Sequence, residues 1–107
     1  MNEGLQITRR RGERVMIGTD IIVQVAALHE GEVWLKVQSH YGVHDGIVPF
    51  GTGHQVSDEV HIHLMTIKGA QARLRIEAPK SVGIYREEVY MRMFGRSIDE
   101  AFYEGMA

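Results

Sequence analysis

No cysteine occurs among the 107 residues, which excludes a disulfide framework and any thiolate metal site. There is no run of about 18 apolar residues, so a membrane-spanning helix is not expected. The opening Met1-Asn2-Glu3-Gly4 lacks a charged segment followed by an apolar one, and a secretory leader is not expected either. These absences point to a cytoplasmic home. One further absence is local: no lysine or arginine lies between Lys36 and Lys68. The formal net charge of −2 argues, as an average, against a polyanion partner. Residues 8–14, Thr-Arg-Arg-Arg-Gly-Glu-Arg, nevertheless set four arginines against one glutamate. Positive charge is therefore concentrated, as expected where one edge of a protein meets a polyanion; a solvated charged turn is the plainer alternative.

The length suits one domain with a modest core. Apolar residues at 44% and charged residues at 24% are ordinary for a globular chain. The pattern is mostly β. Ile21, Val23 and Val25 alternate with Ile22, Gln24 and Ala26, and Val33, Leu35 and Val37 alternate with Trp34, Lys36 and Gln38. A period of two marks strands with one buried face, and His29-Glu30-Gly31 supplies the hairpin turn between them. Val60, Ile62 and Leu64, then Ala72, Leu74 and Ile76, repeat the arrangement around Lys68-Gly69. Ala78-Pro79-Lys80 interrupts, because proline cannot donate to a ladder. Val82–Tyr85 reads as a short strand. Glu87–Phe94 reads as a helix, acidic at its start and with Arg92 late. Ser97-Ile98-Asp99-Glu100 is a capping box for a further helical turn.

The two hairpins superimpose without a gap at one constant offset, that from Val33 to Ala72. Ile21, Val23, Val25 and Leu28 fall on Val60, Ile62, Leu64 and Ile67, and Gly12 falls on Gly51. This reads as an internal duplication. Between the hairpins, Ser39–Ser57 carries the remnant of a terminal strand run into that of an initial one. The same offset lays Val48 and Pro49 under Arg9 and Arg10, and a two-residue deletion lays Asp45 under Arg86.

Other features have plainer readings. His61 and His63, near His54, share the outer face of a strand whose inner face is Val60, Ile62 and Leu64, so neither a metal nor a cofactor is expected. Gly51-Thr52-Gly53 is a bent connection, since no lysine or helix follows it. Trp34 and Tyr41 are expected to pack in the core or on the sheet rather than stack a base. Met91, Met93 and Phe94 are expected to pack a helix face on the sandwich. Glu87 and Glu88 lack any accompanying nucleophile, so an enzyme is not expected.

The stretch Leu5-Gln6-Ile7-Thr8-Arg9-Arg10-Arg11-Gly12-Glu13, followed by Val15-Met16-Ile17-Gly18, resembles the start of the carbon storage regulators (CsrA, also called RsmA). Asp58-Glu59-Val60 through Lys68-Gly69, then Ala78-Pro79-Lys80-Ser81-Val82 and Tyr85-Arg86-Glu87-Glu88-Val89-Tyr90, resembles the rest of that family. The resemblance implies a β-sandwich with a C-terminal helix and no catalytic activity. It also implies binding of GGA-containing loops in mRNA, and of small regulatory RNA, with repression of translation. Family members are intertwined homodimers whose two RNA sites each join the first strand of one subunit to the fifth strand of the other. Carried over, the first-strand contributors are Ile7, Thr8, Arg9 and Arg10, and the fifth-strand contributors are Val82, Tyr85, Arg86 and Glu87. Arginine suits that role, because its planar fork matches phosphate and guanine edges and unpaired loop bases expose those edges.

Two departures stand out. Tyr85 replaces the family's usual histidine, and the central hairpin is present twice. The expected architecture is a mostly β single-chain pseudo-dimer: one domain over 1–107, with a first repeat (5–38), a degenerate linker (39–57), a second repeat (58–94) and a tail (95–107). It has one intact RNA site and one lost. A monomer is favoured, with a homodimer as the alternative assembly, and a protein-binding modulator or decoy of an ordinary family member is the rival function.

Overall fold

The computed structural model describes residues 2–106, without the side chains of Asn2 and Glu3; Met1 and Ala107 lie outside the described residues. The elements are β1 (Asn2–Arg10), β2 (Arg14–Ile17), β3 (Ile21–His29), β4 (Glu32–Ser39), β5 (Gly42–Pro49), β6 (Gly53–Ser57), β7 (Val60–Lys68), β8 (Gln71–Pro79), β9 (Ile84–Arg86), α1 (Glu87–Phe94) and α2 (Ile98–Glu104). They form two antiparallel sheets, one of four strands in the order β1-β8-β7-β6 and one of five in the order β5-β4-β3-β2-β9. The chain therefore opens in one sheet and reaches its last strand in the other.

Alternation explains the layering. Val23, Val25, Val33, Leu35 and Val37 of the five-stranded sheet face Ile62, Leu64, Ala72, Leu74 and Ile76 of the four-stranded one, in a single buried cluster. Neither hairpin could bury its apolar face alone, and each covers the other. The sandwich is thus a pseudo-dimer folded from one chain.

The internal repeat extends to the main-chain details. Gly12 donates to the Val25 carbonyl and Val25 to that of Glu13; at the same offset, Gly51 donates to Leu64 and Leu64 to Thr52. Gly12 and Gly51 both adopt positive φ, 87° and 78°, a conformation that favours glycine in these two turns. The β3–β4 register shifts between Val25 and Ala27, and the β7–β8 register between Leu64 and Thr66. Both hairpins carry the same bulge.

Residues 39–57 hold β5 and the whole of β6. Glu32 pairs with Pro49 and Val33 with Val48, as Gln71 pairs with Arg10 and Ala72 with Arg9. Val48 and Pro49 thus occupy the positions of the arginine pair in the opposite sheet. Asp45 does not take the place of Arg86. It pairs with Lys36 as Gln6 pairs with Arg75, because β5 runs as one uninterrupted strand along β4. Among the described residues, no strand lies on β6 where β9 lies on β2.

The outer faces of the two sheets differ. On the five-stranded sheet, Met16 and Ile22 are buried beneath Tyr90 of α1 and Ile98, Ala101 and Phe102 of α2. Their counterparts across the repeat are Gln55 and His61, both exposed, which give a helix nothing apolar to cover. Of Met91, Met93 and Phe94, expected to pack on the sandwich, Phe94 lies against Tyr85 and Tyr90, at 5.4 and 4.5 Å between ring centroids, while Met91 and Met93 are 47% and 60% exposed. α1 is a short helix that turns Tyr90 inward, and α2 supplies the rest of the cover. Trp34 and Tyr41 are also exposed rather than packed in the core. Val33, Leu35 and Val37 take the inward positions of β4, so Trp34 points outward against His29, and Tyr41 sits at the β4–β5 turn.

Helix α2 starts at Ser97, whose hydroxyl accepts from the Glu100 amide while the Glu100 carboxylate accepts from the Ser97 amide. This capping box satisfies two donors that a helix start leaves open. Phe102 is the largest fully buried side chain among the described residues. Replacing it with alanine is expected to cost roughly 3–5 kcal/mol. Urea unfolding measures the loss, and a change below about 1 kcal/mol would contradict the docking of α2.

Candidate functional site

The two chain ends converge at the edge where β1, of the four-stranded sheet, approaches β2 and β9, of the five-stranded sheet. Arg9 is the buried charged residue at this seam, with only 4% of its surface exposed. Its guanidinium donates to both carboxylate oxygens of Glu88, at 2.9 and 2.5 Å, and to the Arg14 carbonyl at 3.2 Å. Arg14 in turn donates to Glu87 through Nε and Nη2 and to Asp99 through both terminal nitrogens. Two arginines from the start of the chain are thereby held by three carboxylates from the starts of α1 and α2. The Arg9 guanidinium lowers Glu88 to about 2, against the opposing effect of burial. Hydrogen bonds from Arg14 likewise lower Asp99, and those from Asp99 and Glu87 hold Arg14 above the ordinary arginine range.

The residues expected from the sequence to form one site are brought to this edge with different exposures. Ile7 faces the core, 3% exposed, so its main chain alone lies at the open edge of β1. Thr8 is half-buried on the outer face of its sheet and Arg10 is fully outside. With the Gln71 amide oxygen turned toward it, Arg10 donates through Nε and Nη2 at 3.2 and 3.1 Å. Val82 packs against the core. Tyr85 turns back over Gly83 and meets Tyr90 and Phe94 edge-on at 5.7 and 5.4 Å. A Cβ at Gly83 would stand 2.6 Å from the Tyr85 ring, so glycine is what admits it there. Arg86 is exposed at the junction of β9 and α1, near enough to Glu88 to contribute to its low pKa. Glu87 is bound to Arg14.

The arginine cluster accordingly divides. Arg9 is buried and Arg14 half-buried, both paired with carboxylates, while Arg10, Arg11 and Arg86 remain exposed as a cationic rim. Sequence reasoning did not single out Glu88, Arg14 or Asp99 as partners. The excess of arginine over acid in residues 8–14 hinted that some compensation must come from elsewhere.

The opposite edge, where β5 meets β6, is built otherwise. Gly46 and His54 stand where Ile7 and Val15 stand at the first edge, and the His54 ring fills the space above Gly46, where a Cβ would lie 2.8 Å from it. His54 Nε2 lies 3.3 Å from His44 Nε2. Partial burial and the neighbouring His44 both lower the His54 pKa. This edge carries no arginine.

Comparison with known proteins was informative for the second half of the chain. Residues 54–94 match the model of the CsrA "Global regulator protein family". The chain is similar to the Translational regulator CsrA of Lachnospira eligens, 44% identical over 46 residues, which is 43% of this chain and 63% of that protein. It is similar to that of Oceanobacillus iheyensis, 36% identical over 50 residues, or 47% of this chain and 68% of the relative. A third, from Geotalea uraniireducens, is 42% identical over 43 residues, or 40% and 54%. The chain thus spans little more than half to two thirds of these relatives. No solved structure matches the chain significantly.

Two titrations follow from this geometry. Glu88 has a lowered pKa in the folded chain, so its contribution to stability is full above its ordinary value of 4.5 and is lost as pH falls toward about 2. Glu88→Gln is expected to flatten that acid limb, and Glu88→Ala to cost roughly 1.5–3 kcal/mol by leaving Arg9 short of a charged acceptor. Urea midpoints measured from pH 6 to pH 2 read both effects, and an unchanged acid limb in Glu88→Gln would remove the pair. For His54 the lowered pKa means that the unfolded chain takes up the proton first. Stability then falls as pH drops through the ordinary histidine value of 6.5. An NMR midpoint for His54 at or above that value would contradict the contact with His44.

Proposed function

Because the chain belongs to the CsrA family, we propose that it is a post-transcriptional regulator. It binds GGA-containing single-stranded loops of mRNA, or of small regulatory RNA, through one site and represses translation. The observation that supports this reading most is the junction of the two chain ends by the Arg9–Glu88 pair. That pair sets Arg10, at the end of β1, and Arg86, at the end of β9, on one rim with the open edge of β1 beside them. Guanidinium forks recognise phosphates and guanine edges, and the strand edge offers main-chain groups to unstacked bases.

Arg10, Arg86 and Thr8 contact RNA, together with the main chain at Ile7. Arg9 and Glu87 position the rim, and Val82 and Tyr85 anchor the last strand, Val82 on the inner core and Tyr85 against Tyr90 and Phe94 on the outer side. The opposite edge is silent, because Val48 and Pro49 occupy the places of the arginine pair and no β9 equivalent stands on β6.

One observation favours a second reading, a modulator that binds protein. Val43, Ile47 and Phe50, around the edge strand β5, are 59%, 55% and 61% exposed. Salt separates the two: each neutralised phosphate of a single strand contributes a slope of about −0.7 in log K against log salt, whereas an apolar contact contributes little.

Arg86 makes no side-chain cap on α1, so Arg86→Ala is expected to leave folding intact. It should weaken binding of a GGA hairpin by roughly 1–3 kcal/mol, or five- to 150-fold. Stoichiometry is expected at one RNA per 12.1 kDa chain. Two RNAs per chain, or an affinity indifferent to both Arg86 and salt, would overturn the proposal. A particle of twice that mass would replace the monomer by a homodimer with two such sites.

A further inference from the structure

The outer face of the four-stranded sheet has no part in the edge site, and it is unlike its counterpart. On the five-stranded sheet the corresponding surface is partly roofed by α1 and α2, and β4 presents Trp34 and Lys36. Across the repeat, β8 presents Arg73 and Arg75 in their places, both exposed. Lys68 and Arg10 stand on the same face. The carboxylate among the described residues there is Glu77, whose Oε1 lies 2.6 Å from His63 Nε2.

Arg73 and Arg75 are available, whereas the arginines of the seam are not. Neither makes a hydrogen bond or ion pair among the described residues. The Arg75 guanidinium lies across β1 at Gly4, where a Cβ would stand 2.2 Å from its Nε. Glycine at that position keeps this seat clear, and Arg75, paired in register with Gln6, extends over β1 toward the start of that strand, farther from the rim than Arg73. Arg73 pairs in register with Thr8. The two line one depression with Thr66, Lys68 and Gln71, and Gln71 in turn meets Arg10. The basic face is therefore continuous with the rim. Cations without partners among the described residues, spaced two residues apart along a strand, suit a flexible polyanion whose charges repeat.

We propose that this face is a phosphate track for the single strand of RNA leading out of the loop held at the β1–β9 edge, with Arg73 and Arg75 as its principal contacts. The track rests on the reading of that edge as an RNA site. It makes the footprint one-sided: the strand leaves over the four-stranded sheet and not over the helices.

The test compares three probes by fluorescence anisotropy: a blunt GGA hairpin, and the same hairpin with about eight unpaired nucleotides added on its 5′ or on its 3′ side, a length within the range of known single-strand grooves. With the wild-type chain, one extended probe is expected to bind about five- to tenfold tighter than the blunt hairpin at low salt, with a salt slope steeper by about 1.4, for two phosphates. In R73Q/R75Q that gain and the added slope are expected to vanish while blunt-hairpin affinity stays within about twofold, and circular dichroism melting checks that the variant is folded. Wild-type binding that is the same for all three probes would overturn the track and leave the edge site standing. So would an equal loss on blunt and extended probes in R73Q/R75Q, which would assign these arginines to the loop itself. A wild-type chain that fails to hold the blunt hairpin would overturn the edge reading, and the track with it.

Discussion

A guanidinium taken out of water must be met by a carboxylate, and the burial of Arg9 imposes that requirement on the whole molecule. Its position on β1 faces the interior of the sandwich, in line with Ile7, whose side chain is core. The acid that meets it, Glu88, lies at the other end of the sequence, in the first turn of α1. For the pair to form, β1 must close one sheet while β9 closes the other, and α1 must start where the two edges meet. Arg14 repeats the demand one strand over and ties α1 to α2 through Glu87 and Asp99. The exposed arginines owe their placement to these internal ones. Arg10 and Arg86 come to one rim because their neighbours Arg9 and Glu88 bind each other.

The same geometry explains why the pseudo-dimer is unequal. Its inner faces repeat almost residue for residue, since one shared core demands apolar side chains from both halves. Its edges and outer faces meet no such demand and have diverged. At the far edge, Gly46 and His54 replace Ile7 and Val15 as a matched pair, the ring filling the space that the glycine leaves. Helical cover follows the apolar outer positions Met16 and Ile22, and their counterparts Gln55 and His61 leave the other sheet open to solvent. One half thus carries the helices and the other carries a bare, basic surface. A repeat that keeps its core can change its residues at one edge and its charge on a face without disturbing the fold.

Alternation in Ile21–Val25, Val33–Val37, Val60–Leu64 and Ala72–Ile76 determined the strands, the buried face and the repeat, because a period of two is a local property that one buried side enforces. Glu87–Phe94 and the Ser97–Glu100 capping box were legible for the same reason: helix ends are satisfied by near neighbours. The register of Val48 and Pro49 against the arginine pair was also legible, as a consequence of the repeat. Which of the arginines would be buried was not. Arg9 and Arg10 look alike in sequence, and their difference depends on a carboxylate some eighty positions away. The outward settings of Trp34, Tyr41 and the α1 methionines, and the place of Asp45, were likewise decided by tertiary packing. Neighbouring inward residues, a second helix and an unbroken β5 set them, and none of these is encoded within a few residues of the side chain concerned.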